Sequence, residues 1–165
     1  MLIALVFGGC ASRPPLTTVP EVDLDRYQGK WFEIAKYPNW FQRGCASDTT
    51  AEYSALPDGK IRLVNSCRRK DGTVQRAEAK AVVVPGSGNA RLRVNFGGPI
   101  WGDYWIIGLD EKNYSWALVG HPSRKFLWIL AREPQLSDAT YAKITALAAG
   151  KGYDPARIVL SPQRK

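Results

Sequence analysis

Between residues 30 and 132 no alternating apolar run outlasts one short strand before turn residues interrupt it, and the interruptions recur at nearly even spacing. Eight such runs cover residues 30–37, 46–55, 60–69, 73–84, 90–96, 102–109, 114–120 and 125–132. Pro57-Asp58-Gly59, Gly86-Ser87-Gly88-Asn89, Asp110–Asn113 and Pro122-Ser123 lie between them. These are turn sequences with a mechanism, since proline presets one dihedral and glycine accepts positive φ. Regular short strands with turns predict an antiparallel all-β sandwich or barrel. The reading adopted is an eight-stranded antiparallel up-and-down β-barrel, whose interior is just wide enough for side chains or one small ligand.

The first run adds a second demand. On period-2 alternation Trp31, Glu33, Ala35 and Tyr37 share one face, while Phe32 and Ile34 share the other with Lys30 and Lys36. Both faces are apolar, so the strand needs a core within and a cover outside. The cover is predicted after Pro134, where the period changes. Ser137 is a plausible N-cap, Tyr141, Ile144, Leu147 and Ala148 recur at helical spacing, and Gly150 and Gly152 end the run. One C-terminal α-helix therefore packs outside the barrel, and residues 157–160 form a short final strand beside the first. At 165 residues the chain is one domain, able to bury about two thirds of its unfolded surface.

Ala77, Ala79 and Ala81 alternate with Glu78 and Lys80 in the fourth run. A filled core favours large inward residues, so three small ones on one face imply reserved space. Other walls are large: Phe126 and Trp128 share a face with Leu130, Tyr104 and Ile106 with Gly108, and Val94 and Phe96 with Leu92. Small residues opposite aromatic ones describe an apolar small-molecule pocket. Its expected lining comprises Ala77, Ala79, Val94, Phe96, Tyr104, Ile106, Phe126 and Trp128, with Ala35 and Tyr53. The competing reading is a filled barrel in which aromatics interdigitate with the alanines.

Three motifs carry a family resemblance. Gly29-Lys30-Trp31 follows a short helical turn, Asp103-Tyr104-Trp105-Ile106-Ile107 precedes Tyr114, and Arg132 ends Trp128-Ile129-Leu130-Ala131. In this order, over about a hundred residues, they resemble the three signatures of the lipocalins. The stretch Gly29–Ala35 resembles the bacterial outer-membrane lipocalins and their animal relative apolipoprotein D. The resemblance implies that Gly29, Trp31 and Arg132 form the barrel-closing motif, with Arg132 over the Trp31 ring. It also implies that the loop bearing Trp40 and Phe41 folds over the open mouth. A fatty acid, lysophospholipid or similar amphiphile is the implied ligand.

Residues 1–22 read as a lipoprotein signal remnant and tether, and residues 23–165 as the barrel domain. Met1–Gly9 is apolar, too short to span a bilayer, and ends on small residues before Cys10. Cys10 is the expected site of lipid attachment, and Pro14, Pro15 and Pro20 make the following segment a semi-rigid spacer. Ser12 suits sorting to the outer membrane, which places the domain in the periplasm of a bacterial cell envelope. Cys45 and Cys67 fall near one another on paired strands in a compartment where disulfides persist, so a bridge is expected. The alternative is a reactive thiol at Cys67, on the inward parity of Leu63 and Asn65.

The chemistry-bearing residues are few. His121 is the only histidine, so no histidine pair holds a metal and no serine gains a base by proximity in sequence. No catalytic residue, metal ligand or cofactor is expected. Glu33, inward by parity with Trp31, needs a partner, nearby water or a proton if buried. The net charge of +8 is spread over alternate strand positions and turns without a nucleic-acid motif, and fits attraction to anionic membranes instead. The predicted protein is a monomer or weak homodimer that binds a lipophilic small molecule. The competing functions are a lipocalin-fold enzyme acting on a lipid or polyene, and a structural envelope protein with a plugged barrel.

Overall fold

A computed structural model of the chain describes residues 13–164. A four-residue helix α1 (Leu24–Tyr27), capped by the Asp23 carboxylate, leads into β1 (Gly29–Lys36). Then come β2 (Ser47–Ala55), β3 (Ile61–Arg68), β4 (Val74–Val83), β5 (Arg91–Asn95), β6 (Gly102–Leu109), β7 (Trp116–Gly120) and β8 (Leu127–Ala131). Helix α2 (Asp138–Gly150), capped by Ser137, and a two-residue β9 (Val159–Leu160) complete the order. From β1 to β8 each strand pairs antiparallel with its sequence neighbour, β1 pairs with β8 as well as β2, and β9 adds to β1. The sheet therefore closes on itself. The turns at 56–60, 84–90 and 110–115 gather at the end where β1 begins, and the loops at 37–46, 69–73, 96–101 and 121–126 gather at the other.

Of the register shifts in the sheet, at Glu33/Ala35, Ser47/Thr50 and Ile106/Gly108, the first and last change which of the expected residues face inward. Between Glu33 and Ala35 the β1–β8 register slips by one residue, and between Ile106 and Gly108 the β6–β7 register does the same. A bulge adds one residue to one strand and inverts the alternation beyond it. Ala35 and Tyr37 consequently leave the parity of Trp31 and pack outside, among Ile129, Ile144 and Tyr153. This corrects the expectation that Ala35 lines the pocket. Gly108 likewise turns away from Tyr104 and Ile106 toward α2, where an added Cβ would lie 2.5 Å from Leu147 Cδ2.

The result is two cores separated by the sheet. One fills the closed half of the barrel around Tyr27, Trp31, Tyr53, Leu92 and Ile106, and the other lies between the barrel wall and α2 around Tyr37, Leu118, Leu127, Ile129 and Ile144. The second is the cover that the two-faced first strand required.

The segment before α1 and the residues that follow β9 are built into the wall. Past Phe32, β1 no longer pairs with β2, and β9 takes its edge through Ala35↔Leu160 and Lys36↔Val159. The gap that opens is closed by the C-terminal residues. Gln163 Nε2 donates to the carbonyls of Glu33 and Thr49, both at 2.9 Å, and Asp48 N donates to the Pro162 carbonyl at 2.8 Å. Residues 14–22 pack against the barrel, where their prolines predicted a semi-rigid spacer without structure of its own. Leu16 and Val22 are buried, Lys151 Nζ binds both oxygens of Thr17, and Val19 N and Val22 N donate to the carbonyls of Ile106 and Gly88. Gly88, at φ 58°, is where the Pro20 carbonyl comes too close for any Cβ. Cys10 lies outside the described residues. Cys45 and Cys67 form a disulfide with Cα atoms 5.5 Å apart, which ties the first loop to the end of β3.

Candidate functional site

The barrel interior changes character from one end to the other. At the closed end Trp31 is fully buried and its Nε1 donates to the Tyr27 carbonyl at 2.8 Å. The Arg132 guanidinium lies 3.8 Å from the Trp31 ring centroid, and its two terminal nitrogens donate to the carbonyls of Lys30 at 3.0 Å and Arg26 at 2.7 Å. Gly29, at φ 90°, lets β1 start beside this side chain, with Arg132 Nη1 3.4 Å from where a Cβ would be. Above the tryptophan, Tyr104 Oη is 2.8 Å from Tyr27 Oη and 2.7 Å from Tyr53 Oη. Burial is the main reason all three phenols are held well above their ordinary pKa. Neutral at physiological pH, they form a hydrogen-bonded floor.

The walls come next. Ala79 and Ala81 are buried on the inner face of β4, with Ala77 in register one step nearer the mouth, opposite Leu63, Ile61 and Asn65 respectively. In a closed eight-stranded meander β8 stands across the barrel from β4, and there Trp128 and Leu130 belong to the inner core. Val94 and Ile106 are buried in the same core. Phe96 is placed differently: it lies beyond the end of β5 and is 53% exposed, so it belongs to the lip rather than the lining. Phe126 is also at the lip, stacked on Trp128 with centroids 6.0 Å apart and in contact with Phe41.

Below the lip sits a polar cluster. The Glu33 carboxylate, 3% exposed, accepts from Lys36 Nζ at 2.9 Å, from Gln42 Nε2 at 2.6 Å and from Ser161 Oγ. Gln42 Oε1 in turn accepts from Trp128 Nε1 at 3.0 Å and from Asn39 Nδ2 at 2.6 Å. Both carboxylate oxygens of Glu33 thus have partners, as a buried carboxyl group requires. The first loop is pinned into the barrel through Gln42.

Sequence reasoning did not single out Tyr27, Lys36, Gln42 or Ser161 for this interior. Tyr27 precedes the alternating strand, and Lys36 joins Glu33 only because the bulge inverts parity. Gln42 and Ser161 arrive from a loop and from a tail, neither of which has a period. His121, by contrast, is where the turn put it, with Nδ1 2.8 Å from Ser123 Oγ and Nε2 3.9 Å from Asp103. Burial lowers its pKa, and Asp103 opposes that shift. Two concavities border the barrel: one of about 150 Å³ at its closed end, between α1 and the β2–β3 turn and reaching the inner-core residues Tyr27, Tyr53, Ile61 and Leu92, and one of about 550 Å³ on the outer face of β1–β4. The second is bordered by Asp48, Glu52, Arg68 and Arg76, a charged and wet surface.

A closed meander with one end stoppered, the other lipped with aromatic residues, and a helix laid along its side defines a small-molecule-binding barrel. The chain belongs to the lipocalin-like domain family, whose profile matches residues 22–163. It is 34% identical to outer membrane lipoprotein Blc of Vibrio cholerae serotype O1, covering 99% of this chain and 96% of that one. To outer membrane lipoprotein Blc of Escherichia coli K12 it is 37% identical, covering 94% and 89%. Among solved structures, insecticyanin from the tobacco hornworm Manduca sexta superposes with a TM-score of 0.74 at 21% identity, over 93% of this chain and 87% of that one.

Proposed function

We propose that the chain is a carrier that takes up one amphiphile, a fatty acid or lysophospholipid, in the open half of its barrel and releases it unchanged. The observation that carries this reading is the gradient along the barrel axis. Small residues on β4 face Trp128 and Leu130 above a neutral tyrosine floor, and the Glu33–Lys36–Gln42 cluster lies just under the lip. An acyl chain suits the apolar part, and its head group suits the polar edge. Each Å² of apolar area withdrawn from water contributes about 25 cal/mol before ordering costs, so a long chain gains several kcal/mol. The two bacterial relatives are named outer membrane lipoproteins, which supports the same address here, with Cys10 as the acylated residue.

Native mass spectrometry of gently purified protein tests this, with a co-purified amphiphile expected. The paired variants Ala79→Phe and Glu78→Phe locate the site. The first is expected to reduce uptake of a fluorescent fatty acid at little cost in stability, because its ring enters the space left for the ligand; a cost of about 1–3 kcal/mol would mark a close-packed interior instead. The second, on the outer face where Glu78 pairs with Arg62 at 2.7 Å, is expected to leave uptake unchanged. Equal uptake by both variants, or none by the parent, overturns the carrier reading in favour of a plugged barrel.

A further inference from the structure

The lip of the barrel carries large apolar side chains in water. Trp40 is 70% exposed, Phe41 44%, Ile100 81% and Trp101 37%, with Phe96 beside them. These come from two loops far apart in sequence, 37–46 and 96–101, and the fold brings both to the open end. Soluble domains rarely expose such a group of apolar residues without a partner. The four loops at this end also hold Arg43, Arg69, Lys70, Arg124 and Lys125 against a single acidic residue, Asp71. Aromatic residues that reach the headgroup level, ringed by cations, are the composition of an interfacial membrane contact.

The path of the N-terminal segment gives this face a direction. From Val22, held at the closed end by the Gly88 carbonyl, the chain runs backward along the wall past Ile106 and the C-terminus of α2. It reaches the open end at Pro14, whose carbonyl accepts from Arg124 Nη2 at 2.7 Å. Pro14 lies four positions after Cys10, and four residue steps span at most about 14 Å. An acyl group on Cys10 is therefore confined to the neighbourhood of the lip. A segment that was free from residue 22 onward would allow the barrel any orientation. Between Pro14 and Val22 this one is fastened to the barrel.

We propose that the open end is a docking face that seats on an anionic lipid surface, with the pocket mouth against the headgroups. Its orientation draws on the reading of Cys10 as the acylated residue; its composition does not. On such a surface an amphiphile passes between leaflet and barrel without crossing water. Loading then depends on the lip, while affinity depends on the interior.

The experiment uses the full chain carrying Cys10→Ser, so that no acyl anchor contributes. Co-flotation is measured with vesicles of phosphatidylethanolamine and phosphatidylglycerol and with vesicles of phosphatidylcholine, together with quenching of tryptophan fluorescence by brominated acyl chains. The parent is expected to float with the anionic vesicles and to be quenched. The variant Trp40→Ser/Phe41→Ser/Ile100→Ser/Trp101→Ser is expected to partition at least about tenfold less. Lys70→Gln and Lys125→Gln are each expected to weaken partitioning about fivefold, whereas Lys60→Gln and Lys80→Gln, away from the lip, change it by less than about twofold. Ile100→Ser alone tests the lip should the fourfold variant fail to fold.

Lip variants that float as well as the parent overturn the proposal, as does flotation without tryptophan quenching. So does a parent that ignores vesicles but sediments as a dimer dissociated by the lip substitutions, because the face then belongs to a second copy. Uptake of a fluorescent fatty acid in vesicle-free solution is read alongside. A parent that floats but takes up no probe upholds docking and removes the carrier reading; a parent that takes up probe but does not float does the reverse.

Discussion

Arg132 acts on the fold through three contacts at once: the Trp31 ring and two main-chain carbonyls at the closed end. A cation over an aromatic face is worth about 0.5–2 kcal/mol, and two carbonyls left without a donor add to the loss. Arg132→Ala is expected to lower stability by about 2 kcal/mol, or roughly 4–8 °C in melting temperature, with little change in ligand affinity. A large loss of affinity at an unchanged melting temperature would contradict this placement. The tyrosine floor makes a pH prediction. The folded-state pKa of Tyr27, Tyr53 and Tyr104 is raised, with burial the leading cause, and that of Tyr153 is pushed up to about 12. The folded chain thus holds protons that the unfolded chain releases near pH 10, so the stabilisation is complete below that pH and is lost as pH rises above it. Phenolate absorbance is expected to rise in step with alkaline unfolding. Tyr104→Phe, which takes the central hydroxyl away, is expected to weaken that coupling.

At the level of the element, the bulges decide what can be read from sequence. The eight strands, the C-terminal helix and the final strand were all legible from period and turn residues, because alternation and capping are local properties. The face presented by Ala35 was not, since one extra residue at position 34 inverts everything after it and leaves no mark in composition. Val94, Ile106 and Trp128 follow parity because no bulge precedes them within their paired segments, and Tyr53 does because the shift between Ser47 and Thr50 falls at the far end of β2, outside the run from which its parity is counted. Phe96 kept its parity but lay past the last ladder bond, where parity no longer means burial. The correction at Ala35 has a measurable consequence. Ala35→Phe meets Ile129 and the residues beneath α2, so it is expected to cost about 1–3 kcal/mol while leaving fatty-acid uptake unchanged. Blocked uptake at undiminished stability would return Ala35 to the pocket.

For the whole molecule, the disulfide couples the mouth to global stability. Cys45 and Cys67 are separated by 22 positions, and closing that loop contributes about 3 kcal/mol on the chain-entropy account. Reduction is expected to lower the melting temperature by roughly 6–12 °C and to raise hydrogen exchange in residues 38–46 before the rest of the barrel. Uniform exchange across the sheet on reduction would show that the bridge does not set the mobility of the loop.

The closing of the wall by the last residues also governs when the barrel can exist. During synthesis β1 emerges early, but β8, β9 and Gln163, which complete its pairing, are made more than ninety residues later. A ribosome adding about 5–20 residues per second leaves the first strand with an unsatisfied edge for several seconds. Assembly is therefore deferred until the chain is finished. A polypeptide that cannot close prematurely stays threadable, which is the state in which a protein bound for another compartment has to reach its export machinery.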